Sequence, residues 1–131
     1  MNFYFALLLS FLFLGIMDIT WISFNYQYYM NLLKKIQKEP FVVKINAILL
    51  AYISIFVSYY LFVKLISIEG NTVLYAFLFG IAVYGTFSYT TCTYFKNYNY
   101  YHAFKDMMWG IILYLVSGIL FNYLYKNKFI I

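Results

Sequence analysis

FYFALLLSFLFLGIMDITWISF, residues 3 to 24, is the stretch on which the fold turns. A single charge, Asp18, interrupts it. At about 1.5 Å per residue, a helix of this length crosses a hydrocarbon layer roughly 30 Å thick. Backbone groups in lipid must be satisfied within their own segment, so a run this long must be helical. It has no positive n-region, and no A-x-A-like site follows the apolar run, so a retained helix is expected rather than a cleaved signal.

Three further stretches match it. One runs from about Phe41 to Val63 with Lys44 near its start, and one from about Val73 to Phe95 without any charge. The last runs from about Ala103 to Tyr125, with Lys105 and Asp106 in its first turn. The expected fold is therefore all-α: an up-and-down integral membrane bundle of four transmembrane helices, forming one domain over residues 1–131. Composition agrees. Hydrophobic residues make up 66% and charged residues 10% of the chain, against about 45–50% and about 25% in soluble domains. A core this small cannot hide so much apolar surface from water, so the lipid bilayer is the expected partner.

The nine cations are all lysines and are scattered, which leaves no basic stripe for nucleic acid. They read instead as headgroup contacts and orientation signals. Cys92 is the one cysteine, which excludes an intrachain disulfide and a cysteine-rich metal site. Phe, Tyr, Ile, Asn, Lys and Met abound while Arg is absent, a pattern of AT-rich codons. The 17 tyrosines are thus weak evidence for a site.

In the longest connector, residues 25–40, Tyr26, Tyr29, Met30, Leu33 and Ile36 recur at helical spacing opposite Lys34, Lys35 and Lys38. This predicts a short helix in the headgroup region, with a wet loop as the alternative. Pro40 suits the first turn of the second span. Glu69, Gly70 and Asn71 form a tight turn, and Lys96 to His102 the last connector. An even number of spans puts both termini on one face. The first and third connectors, with the helix ends beside them, hold Lys34, Lys35, Lys38, Lys44, Lys96 and Lys105. The other face holds Lys64, Lys126 and Lys128. Six against three favours connectors in the cytoplasm and termini outside.

Polar residues gather toward one face. Asp18 and Thr20 end the first span, Lys44 and Asn46 begin the second, Ser88 to Thr93 end the third, and Asp106 begins the fourth. The other leaflet reads as nearly pure hydrocarbon. Asp18 should face the bundle interior and find a partner, with Lys44, Asn46 or a helix-three hydroxyl as candidates. The plain alternative is that it reaches the interface and fixes packing, and for Asp106 the helix macrodipole alone suffices. Asp18-Ile-Thr-Trp21 and Asp106-Met-Met-Trp109 each set a Trp one turn after an acid. Either indole could donate to its own carboxylate or anchor at the headgroups. First and last helices of such a bundle are neighbours, so one shared cluster of Asp18, Trp21, Lys44, Asn46, Ser88, Thr91, Asp106 and Trp109 is predicted. Ala76, Gly80 and Gly85 on the third span, and Gly110, Ser117 and Gly118 on the fourth, read as close helix contacts.

No catalytic residue, metal or cofactor is expected. His102 lacks H-E-x-x-H spacing, no G-x-S-x-G elbow is present, and no T-V-G-Y-G filter argues for a pore.

With Asp18-x-x-Trp21, Leu78-Phe-Gly80-x-x-x-Tyr84-Gly85-Thr86-Phe87 and Asp106-x-x-Trp109-Gly110 in view, the chain resembles the membrane-protein family catalogued as domain of unknown function 2177. Its members occur in bacteria and large DNA viruses. The likeness covers nearly the whole chain and is tightest from Phe87 to Asp106. Where the family's third helix reads like Y-x-T-Y-D-L-T-N, Thr86 and Thr90 are kept. Ser88 stands for the Asp and Thr91 for the Asn, and the family's connector Trp is Tyr98 here. One of three family acids is therefore missing. The resemblance implies the architecture and no activity; with the AT-rich codons, it points to a large virus and a host or virion membrane. Two functions fit the residues. One is a structural or scaffolding protein acting through packing and homo-oligomerisation. The alternative is a small proton-coupled transporter in which Asp18 and Asp106 line a vestibule.

Overall fold

In the computed structural model, residues 1–38 and 44–127 are described. They form five helices and no strand: α1 Phe3–Phe24, α2 Tyr26–Gln37, α3 Ile45–Glu69, α4 Thr72–Tyr94 and α5 Tyr100–Lys126. All but α2 are long and apolar enough to cross a membrane.

Asparagines begin three of the four spans. The side chain of Asn2 accepts from the Tyr4 amide at 2.7 Å, that of Asn71 from Leu74 at 3.3 Å, and that of Asn99 from His102 at 3.1 Å. Each satisfies an amide the helix itself leaves unpaired. Gly70 and Asn71, both in the left-handed region (φ +76° and +58°), reverse the chain between α3 and α4. Such a short link makes those helices antiparallel neighbours.

Several bounds differ from the sequence reading. α3 continues past Val63 to Glu69, because Lys64 sits near enough to the helix end to extend its head outward. Lys44 caps α3 rather than lying inside it. α5 starts at Tyr100, not Ala103, since Asn99 supplies the cap, which puts Lys105 and Asp106 in the second turn. Glu39, Pro40, Phe41 and Lys128 lie outside the described residues. Within α4, residues Ile81–Gly85 form one π-helical turn, which hydropathy gives no means of seeing.

α5 is the central helix and packs against both α1 and α4. Ala6, Leu7 and Leu14 of α1 meet Tyr59, Phe62, Val63 and Ile66 of α3, Ala76 of α4, and Leu113, Tyr114 and Phe121 of α5. Two glycines let the helices approach closely. A Cβ on Gly80 would lie 2.6 Å from the Cα of Ile111, and one on Gly118 2.7 Å from the Phe62 ring. Leu12, Ile16, Ile53, Leu61 and Leu78 stay exposed on the outside, as lipid-facing side chains do.

The half of the bundle away from Asp18 is not pure hydrocarbon, contrary to the sequence reading. Tyr59 donates to Ser10 Oγ (2.8 Å) and to the Ser117 carbonyl (3.1 Å), and Asn122 donates to Thr72 Oγ1 (2.9 Å). All five residues are buried. Lone hydroxyls in apolar runs carry little hydropathy signal, but paired between helices they satisfy one another. α3 packs mainly through this half, with Tyr52 reaching back to Asp18. From Ile45 to Ala51 every residue is exposed, so its first turns stand away from the other helices.

Candidate functional site

Where α3 stands away, a cavity of about 650 Å³ remains between α1, α2, the start of α3, the middle of α4 and the start of α5. Asp18, Lys44, Tyr84 and Asp106 are its polar lining residues beside Trp21, Tyr29 and Trp109, and Ile22, Met30, Leu33, Ile48 and Phe87 form apolar wall.

Each acid is held by neutral donors from elsewhere in the fold. Asp18 Oδ2 accepts from the Tyr52 hydroxyl of α3 at 2.8 Å, and Oδ1 from Trp109 Nε1 of α5 at 3.2 Å. Asp106 Oδ1 accepts from the Tyr29 hydroxyl of α2 at 2.6 Å, and Oδ2 from the Tyr98 hydroxyl. Trp21 Nε1 donates to Tyr29 Oη at 3.3 Å. The two indoles stack, with centroids 4.5 Å apart and planes 13° from parallel. A continuous path of contacts thus links Tyr52, Asp18, Trp109, Trp21, Tyr29, Asp106 and Tyr98.

This revises the reading of the two D-x-x-W segments. Neither Trp serves the acid of its own segment. Trp109 reaches Asp18, and Trp21 reaches Asp106 through Tyr29. One turn of helix aligns the Asp and Trp of a segment, but α1 and α5 face each other there, and the indoles meet between them.

The remaining cluster residues divide. Lys44 lines the cavity, but Asp18 takes its hydrogen bonds from Tyr52 and Trp109, not from Lys44, Asn46 or a hydroxyl of the third span, α4. Asn46 is exposed in the outward-leaning part of α3 and is not among the lining residues. Ser88 is fully buried; its hydroxyl sits near Tyr98 without a hydrogen bond of standard geometry. Thr91 donates to the Phe87 carbonyl (2.8 Å) and faces a second, smaller hollow that shares Tyr29, Leu33, Phe87 and Asp106 with the first. Of the glycines, Gly110 borders the site most closely. A Cβ there would fall 2.2 Å from the Tyr84 ring, so the bare backbone lets Tyr84 pack directly against α5. A Cβ on Gly85, next to it, would come 3.2 Å from Met107 Sδ.

α2 closes one side of the cavity. Tyr28 Oη and His102 Nε2 are 3.1 Å apart, and the Lys105 ammonium lies 4.7 Å above the Tyr28 ring and 5.4 Å above Trp21. Leu32 packs with Tyr98 and Ala103. Burial, and then the bond to Asp106, push the phenols of Tyr29 and Tyr98 well above their ordinary range. They therefore remain O–H donors at any physiological pH.

The sequence reading missed the tyrosines. AT-rich codons make any single Tyr a weak signal, although Tyr29 falls on the apolar face of the α2 pattern. Tyr52 carries no comparable signal.

A bundle of four membrane-crossing helices with two carboxylates held inside it is an integral, multi-pass membrane protein. The chain belongs to the family described as predicted membrane protein (DUF2177), whose model matches residues 3–122. No curated protein and no solved structure matches it.

Proposed function

We propose that this protein binds a small amphipathic molecule taken from the lipid, with its polar end toward Asp18 and Asp106. The cavity carries this reading. Its 650 Å³ falls in the range of about 300–1,000 Å³ typical of small-molecule sites. Its lining combines a few convergent polar groups with apolar and aromatic walls, as such sites do. Exposed Ile22, Ile48 and Phe87 at its margin favour entry from the side, through lipid. A purely structural protein needs only packing, which the Gly80 and Gly118 contacts supply elsewhere. Proton-coupled transport would add movement of the ligand and the involvement of a second copy to enclose a path. Binding is the part the geometry supports, in a host or a virion membrane alike.

The chain has two tryptophans, and both line the cavity. The test is quenching of their emission, in purified protein in detergent micelles, by single-chain amphiphiles brominated on the tail. Saturable quenching is expected, and Ala47→Phe, which adds bulk to the lining, should weaken it. Quenching that only rises in proportion to probe concentration, alike in both proteins, would rule out a binding site.

A further inference from the structure

We propose that the ligand's polar end is a protonated amine, bound as a monocation between Asp18 and Asp106; this rests on the cavity reading above. Three observations lead there.

The first is charge. Among the described residues the lining has two carboxylates and one ammonium, Lys44, so its formal balance is one negative charge. The hydrogen bonds to both acids come from phenols and an indole, which bring no positive charge. A carboxylate at membrane depth is costly without a counter-charge. The other nearby ammonium, Lys105, lies over the Trp21 and Tyr28 rings with Asn25 Oδ1 at 3.5 Å, and it is not among the lining residues. A monocationic ligand balances the site, whereas an anion would worsen it.

The second is acceptor capacity. Every oxygen of Asp18 and Asp106 takes one hydrogen bond from the protein, and a carboxylate oxygen can accept two. The Tyr84 hydroxyl, on a cavity-lining residue, is buried and has no hydrogen-bond partner. The carboxylate oxygens therefore offer acceptors to an N–H-bearing head, the tyrosine donors at the acids are already engaged, and the Tyr84 hydroxyl is free to donate or accept.

The third is the wall. Trp21, Tyr26, Tyr29, Tyr84, Phe87 and Trp109 surround the acids with aromatic rings. Such rings stabilise an ammonium through their faces and exclude water that would screen it. Beyond them Met30, Leu33 and Ile48 accommodate an apolar body.

The experiment uses the full chain in detergent and three tail-brominated probes of equal chain length: an alkylamine at neutral pH, a fatty alcohol and an alkyl sulfate. Tryptophan quenching should saturate at the lowest concentration with the alkylamine, about tenfold below the alcohol, while the sulfate should bind weakest. Asp18→Asn and Asp106→Asn should each erase the preference for the amine over the alcohol. Lys44→Gln, at an exposed helix cap, should leave the fold intact and tighten amine binding by removing a like charge. It keeps the proposal open to refutation if either Asp variant fails to fold. Saturable binding that ignores the head group, or amine binding unmoved by Lys44→Gln, would overturn the amine assignment and leave the cavity reading standing. Saturation by no probe would overturn both.

Discussion

Gly80→Ala should destabilise the protein by about 2–3 kcal/mol or more, the cost of overpacking a contact that cannot yield. The added Cβ would come within 2.6 Å of the Ile111 Cα and 2.8 Å of its amide nitrogen. Both are backbone, so no rotamer change relieves the clash and α4 must move off α5. Gly15→Ala is the matched control. Nothing lies within 4 Å of a Cβ there, and it sits inside α1. Alanine at that point should be neutral or stabilise by up to about 1 kcal/mol through helix propensity. Thermal melts of the two variants in one detergent, followed by circular dichroism, give the comparison. Equal melting temperatures would mean that α4 and α5 do not touch at Gly80.

Trp109→Leu should cost about 3 kcal/mol, because it removes a stacked indole and the donor to Asp18 together. Trp109→Phe keeps a ring against Trp21 but loses the N–H, so its loss should be smaller. In a double-mutant cycle with Asp18→Asn, the Trp109→Phe effect should shrink, since the carboxylate it served is gone. Strict additivity would show that Trp109 and Asp18 act independently.

How much of this could be read in the chain depends on the kind of information each feature needs. Four membrane helices follow from hydropathy and length, which are properties of one segment at a time. The crowding at Gly80 and Gly110 follows almost as directly, because small residues recurring along an apolar helix have no better use than close approach. That both acids lie toward one end follows from alternating helix direction. Partners are another matter. Asp18 meets Tyr52 and Trp109 because of the rotation of α3 and α5 about their axes, which helices of near-uniform hydrophobicity do not encode. The π-helical turn at Ile81–Gly85 and the outward lean of α3 likewise arise from packing between helices. The cavity is a consequence of that lean, so no local pattern announces it.

Asp18 and Asp106, far apart in the chain, border one cavity across the stacked indoles. Thiol cross-linking measures this most directly. In a Cys92→Ser background, Asp18→Cys and Asp106→Cys are combined, and the folded protein is treated with bifunctional thiol reagents of graded length. Cross-links are expected with the shorter reagents. Absence of cross-linking with every reagent, in protein that keeps its helical spectrum and melts cooperatively, would contradict the shared site.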